Sequence, residues 1–167
     1  MSNRNKQVGS NLERKLFQLI NRRTIASQQG VELTEKELSN KDLEAIPESN
    51  FVLFPKLGST RKLSRSMDAK KKDITPENMD RLHDFPYILQ AKSLAVSAAP
   101  YAKLLAEVKE NNKWGIPVVI HEQTKKQGSR FVKQDDFAIM YRKDFIDMIF
   151  KIAELEFELK QKEHFEK

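Results

Sequence analysis

The sequence predicts an α/β fold: a mixed β-sheet flanked by helices and followed by a long C-terminal helix. Three observations point there. Apolar residues recur at helical spacing near both ends of the chain and again around residues 101–112, the pattern of amphipathic helices. Between these stretches lie short apolar runs, Phe51–Phe54, Phe85–Lys92 and Ile116–Ile120, set off by Pro and Gly as strands are. At 167 residues the chain suits a single domain, residues 1–167, with room for an adequate core.

The first helix is expected from Gly9-Ser10 to about Gln28, with Leu12, Leu16, Leu19 and Ile20 as its stripe and Phe17 at the edge. Glu13 has two readings. Ser10-x-x-Glu13 fits a capping box at the helix start; alternatively Glu13 points inward and supplies a carboxylate to a site. Gly30 closes the helix. Residues 31–50 are polar and acidic, an insertion with a short surface helix over Thr34–Leu43 ended by Pro47. Phe51–Phe54 reads as a strand stopped by Pro55, Asp73-Ile74 as the start of another, and Phe85–Lys92 as a third. Pro100 suits the first turn of a helix carrying Tyr101, Leu104, Leu105 and Val108. Trp114-Gly115 turns the chain into Ile116–Ile120, with His121 at the strand end. Residues 121–136 read as a basic loop, after which Phe137–Met140 pairs antiparallel with 116–120. Lys143 to about Lys162 is a long helix, apolar on more than one face. Part of it is expected to bury against the sheet, and residues 143–167 are a candidate dimer element.

Composition narrows the chemistry. No apolar run approaches the roughly 18 residues of a membrane span, the N-terminus lacks the apolar core of a signal peptide, and there is no cysteine. Disulfides, cysteine zinc sites, iron–sulfur clusters and thiol catalysis drop out, and the expected compartment is the cytoplasm, with no membrane partner. His83, His121 and His164 show no metal-ligand spacing, and neither a nucleophile elbow nor a phosphate-binding glycine loop is present. The net charge of +6 favours a polyanionic partner. The charge is clustered: Arg61, Lys62, Arg65, Lys70, Lys71 and Lys72 stand against Asp68 alone, with Ser64 among them, and Lys125, Lys126, Arg130 and Lys133 surround Gly128. Such segments suit the phosphates of DNA.

The stretch from Asp73 to Lys92 holds the chemistry. On a strand, Gln90 and Lys92 share one face and Ala91 takes the other. Asp73 from a neighbouring strand, the Gln90 amide oxygen and the Ala91 peptide carbonyl offer oxygens to Mg²⁺, which polarises a phosphate and activates its bound water. Lys92 supplies a cation for the water or the phosphate.

A helix with Glu13 in G-S-N-L-E-R, then Asp73-Ile74, then Ile88-Leu89-Gln90-Ala91-Lys92, resembles the PD-(D/E)XK nuclease superfamily. The likeness is greatest to its Holliday junction resolvase-like endonucleases, phage-encoded ones among them. Downstream, I-P-V-V-I-H and D-D-F-A-I-M-Y-R-K-D-F extend it over most of residues 9–150, leaving out the acidic insertion. The resemblance implies a restriction-endonuclease-like fold and a Mg²⁺-dependent endodeoxyribonuclease, with Mn²⁺ able to substitute. It also implies a homodimer acting on branched or four-way DNA in a bacterial or phage-infected cell. Glu13, Asp73, Gln90 and Lys92 would be its catalytic residues, the metal lying among Asp73, Gln90, Ala91 and Glu13. One departure matters: the family's Glu or Asp is Gln90 here, and a neutral amide holds Mg²⁺ more weakly than a carboxylate. Asp68 is a second candidate acid. Two other expectations follow: a non-catalytic DNA-binding protein on the same fold, or a restriction- or repair-type nuclease on linear DNA.

Overall fold

A computed structural model describes residues 3–32, 34, 36–37, 46–63, 72–95 and 101–166, with main chain only at 3–8 and 94–95. The architecture is mixed α/β. Helix α1 (Asn3–Gln28) leads to strand β1 (Leu57–Ser59), a single turn α2 (Thr60–Leu63) and strand β2 (Ile74–Pro76). After a 3₁₀ segment, Met79–Asp84, come β3 (Tyr87–Ala95), α3 (Tyr101–Asn111), β4 (Ile116–Gln127), β5 (Arg130–Met140) and α4 (Arg142–Phe165).

Two small sheets form. β1 and β2 are antiparallel, while β3, β4 and β5 make a mixed sheet with β3 parallel to β4 and β4 antiparallel to β5. A parallel pair needs a crossover, and α3 supplies it. The sheets are joined at one residue: the Asp73 amide donates to the Leu89 carbonyl at 2.9 Å, and the Thr60 amide donates to the Asp73 carbonyl at 3.0 Å.

Strand alternation sorts the side chains. Leu89 and Val118 join Leu57, Ile74 and Phe85 in the buried cluster, with Leu16, Phe17 and Ile20 of α1 packed onto it. Ile88, Gln90 and Lys92 take the opposite face beside their register partners Pro117, Val119 and His121. That is the side of α3, since Tyr101 reaches His121 with its hydroxyl. Asn21 fastens α1 to β1, its amide donating to the Leu57 carbonyl at 3.0 Å and its carbonyl accepting the Leu57 amide at 2.8 Å.

Four expectations are corrected. Phe51–Phe54 is not a strand: the Gln28 carbonyl accepts the amides of Val52 and Leu53, and Arg81 caps the Phe51 and Val52 carbonyls, so side chains replace a ladder.

 The capping box at Ser10 falls away because α1 begins seven residues earlier, at Asn3, leaving Ser10 inside the helix. Residues 121–136 are not a loop but the two arms of a β-ribbon, turned at Gly128 (φ 63°). The expected pairing of 137–140 with 116–120 is present, and the ladder simply continues outward to Gln127↔Arg130, with an irregularity between Glu122 and Thr124. Last, α4 buries no residue: Phe150, Phe157 and Leu159 are all more than 60% exposed. The helix expected over Thr34–Leu43 lies mostly outside the described residues. Within it, Thr34 and Glu37 exchange amide-to-side-chain hydrogen bonds of 2.8 and 3.3 Å, the reciprocal pattern of a capping box.

Candidate functional site

Asp73 is the junction of the site. Its side-chain Oδ2 accepts the Ala91 amide at 2.8 Å, so the acid meets the peptide between Gln90 and Lys92 from 18 positions away in sequence. In an extended strand, the N–H and C=O of one residue point to the same side. The bonds from Leu89 and Ala91 to Asp73 therefore also turn the Ala91 carbonyl away from β4 and toward Asp73.

Gln90 is 2% exposed, and its Oε1 is buried without a hydrogen-bond partner. A buried amide oxygen left unmatched costs desolvation energy, and a cation or a water would satisfy it. Lys92 is half-buried on the same face. Its register partner His121 is 1% exposed and bonds through Nδ1 to the Tyr101 hydroxyl at 2.6 Å. His121 and Tyr101 border the Gln90–Lys92 face, and the sequence reading passed over both. The signal was available: a histidine at the inner end of an apolar strand, opposite a lysine once the parallel register is set.

Glu13 does point inward, at 2% exposure. Its carboxylate is already engaged, Oε1 with Arg61 at 2.9 Å and Oε2 with the Ser59 hydroxyl at 3.3 Å. Arg61 also reaches Ser10. The segment Ser59–Arg61 thus links the two acids: its side chains hold Glu13 while the Thr60 amide holds the Asp73 carbonyl. Glu13 stands beside the Asp73 site, one strand away.

The basic residues divide. Lys62 is exposed on α2, and Lys125, Lys126 and Arg130 are exposed on the β4–β5 ribbon. Ser64, Arg65, Lys70 and Lys71 lie outside the described residues, as does Asp68. Lys72 does not belong to a solvated loop. It is 2% exposed, its carbonyl accepts the Thr60 hydroxyl, and its ammonium sits 4.8 Å from the centroid of Trp114. Burial pushes its pKa down from 10.5 to about 8, and its Nζ has no hydrogen-bond partner. The reason is positional: Lys72 precedes the residue that joins the sheets, so its side chain enters the protein. Trp114 in turn packs against His83, their ring centroids 4.5 Å apart and the rings tilted by 56°.

No family model, curated protein or solved structure matches the chain. The chemistry therefore rests on the residues. Among the described residues no group of three or more His, Cys, Asp or Glu could hold a metal ion. Of the oxygens expected to serve a metal, Asp73 supplies the carboxylate, the Ala91 peptide is bonded to it, and the Gln90 amide oxygen belongs to the preceding residue. Those are hard ligands, suited to Mg²⁺ or Mn²⁺ rather than to zinc, and the unmatched Gln90 Oε1 is the atom in the set that lacks a partner. No described helix is long and apolar enough to cross a membrane.

Proposed function

We propose that the protein is a metal-dependent DNA endonuclease of the PD-(D/E)XK type on a restriction-endonuclease-like core, acting on branched DNA as a homodimer. The observation that carries this reading is the hydrogen bond from the Ala91 amide to Asp73, which unites the acid with the Gln90-Ala91-Lys92 segment. The order of helix, antiparallel hairpin, strand, crossover helix and parallel strand supports it. So does the exposed basic ribbon, whose two strands suit the width of a DNA major groove.

In this reading Asp73, the Gln90 oxygen and the Ala91 carbonyl hold Mg²⁺, which supplies Lewis acidity and an activated water when bound. Lys92 stabilises charge developing on the phosphate. Glu13 holds Arg61 in place rather than binding the ion directly. Lys125, Lys126 and Arg130 neutralise backbone phosphates. A second copy covers the apolar surface of α4, as two-fold symmetric nicking requires.

The test is a nicking assay on four-way junction, flap, single-stranded and linear duplex DNA, with and without Mg²⁺ or Mn²⁺, paired with sedimentation of the free protein. Metal-dependent nicking of the junction is expected from the wild type, and its loss from Asp73→Asn and Lys92→Ala with binding largely retained. Intact cleavage by both variants would refute the site. The second reading, a DNA-binding protein without turnover, is favoured by the neutral amide at position 90. It predicts salt-sensitive binding and no nicking with either metal. Preference for linear duplex over the junction would point instead to a restriction- or repair-type enzyme.

A further inference from the structure

We infer that the cleft between α1, β1 and α2 binds a phosphate group; this rests on the nucleic-acid reading only in taking a DNA strand as the source of that phosphate. The cleft has a volume of about 290 Å³ and is lined by Arg14, Arg22, Lys56 and Lys62, with Glu77 as the single carboxylate among the described residues. These cations come from separate parts of the chain: Arg14 and Arg22 lie two turns apart on α1, Lys56 just precedes β1, and Lys62 is on α2. Four cations drawn to one concavity raise its positive potential and favour an anion there, and Glu77 lies 3.8 Å from Lys56.

The walls favour a tightly held anion. Arg22 is 7% exposed, and Phe17 and Leu57 give the cleft an apolar side, which strengthens charge–charge attraction inside it. Its frame is fixed by the paired hydrogen bonds of Asn21 to the Leu57 main chain. Two arginines offer the planar forks that match phosphate oxygens. The volume lies at the small end for ligand pockets, which suits a phosphate group better than a whole nucleotide.

Location ties the cleft to the Asp73 site. Arg14 follows Glu13 and Lys62 follows Arg61, the pair that joins α1 to α2, and Thr60 beside Arg61 donates its amide to the Asp73 carbonyl.

The experiment is an NMR titration of the full chain with inorganic phosphate, at ionic strength held constant with chloride, followed by the same titration with a short single-stranded oligodeoxynucleotide. A saturable phosphate response is expected at amides of residues 11–22 and 56–63. The double variant Arg14→Gln/Lys62→Gln, both at exposed positions, should weaken phosphate binding about tenfold or more, and Asp73→Asn should leave it intact. Competition by the oligonucleotide assigns the cleft to a polynucleotide phosphate. Phosphate binding without competition keeps the cleft as a phosphate site but assigns it to a free or small phosphorylated ligand. A response no different from chloride would overturn the inference, as would undiminished affinity in both the double variant and Lys62→Glu. Metal-dependent nicking alongside either of those results leaves the nuclease reading standing alone. Phosphate binding by a protein that never nicks removes the nuclease reading and keeps the cleft.

Discussion

Replacing Lys72 by Met should make the protein more stable, although it removes a charge and a ring contact. The ammonium is buried with no hydrogen-bond partner and a pKa lowered to about 8 by desolvation. The distance from the ordinary 10.5 corresponds, at 1.36 kcal/mol per pH unit, to at most about 3 kcal/mol against the charged form, and water reaching the amine reduces that. Losing the contact with Trp114 returns about 0.5–2 kcal/mol, and Met fills nearly the same volume. The net gain at pH 7 is about 1 kcal/mol, or roughly 2–4 °C in melting temperature for a chain of this size.

The pH dependence makes the test specific. The folded pKa is depressed below the unfolded one, so the penalty is fully present below about pH 8. Between pH 8 and 10.5 the unfolded chain binds more protons than the folded one, and the penalty fades as pH rises. The stability difference between variant and wild type should therefore shrink by about 1–2 kcal/mol from pH 7 to 9.5. Urea unfolding of both proteins at pH 7, 8.5 and 9.5 measures it, and the subtraction cancels the titration of every other group. A difference that stays flat over this range would show that the Lys72 amine is satisfied, and the reasoning would fail.

Two further substitutions probe the frame around the site. Gly115→Ala places a methyl 2.9 Å from the Ile88 side chain and 3.0 Å from the Pro86 carbonyl at φ 91°, so a loss of about 2–4 kcal/mol is expected; Gly128→Ala, at φ 63° in open space, should lose only about 1–2, and equal losses in chemical denaturation would contradict the steric account. Arg61→Ala removes the counter-ion of the Glu13 carboxylate, whose side chain is 3% exposed, at a cost of about 1–3 kcal/mol after allowing for the half-exposed arginine. Adding Glu13→Gln should recover most of that, whereas strictly additive losses in the double-mutant cycle would show no coupling.

How much was legible in the sequence follows from what holds each element in place. α1, β3, α3 and the inner half of β4 bury apolar residues at a regular period, and the period is visible in the chain. The β4–β5 ribbon buries almost nothing. Its backbone pairing carries it, so K-K-Q-G-S-R looked like a loop. Phe51–Phe54 showed the opposite error, because its apolar residues are anchored by Gln28 and Arg81, whose reach across 24–30 positions no local pattern reveals. Ser10-x-x-Glu13 has the spacing of a cap, but the same spacing occurs in any helix interior, and only the helix start at Asn3 distinguishes them. α4 was expected to bury one face because it carries so many apolar residues, but its apolar residues are spread around the helix and none of them is buried in this chain.

At the site, the bonds made by the side chains separate the two acids more sharply than sequence order does. Glu13 comes with its own counter-ion, since Arg61 and Ser59 occupy both carboxylate oxygens, and a divalent ion binding there would have to displace a guanidinium at 2.9 Å. Asp73 is held differently. Its Oδ2 takes the Ala91 peptide N–H at 2.8 Å, a neutral donor that orients the carboxylate. That donor belongs to the residue whose carbonyl faces the same way, with an unmatched amide oxygen one position before it. An acid oriented by a peptide N–H beside the Gln90-Ala91-Lys92 segment keeps the role proposed for it. An acid in an ion pair with arginine is a structural brace. The order of motifs in the chain treats Glu13 and Asp73 as equals, and their hydrogen-bond partners do not.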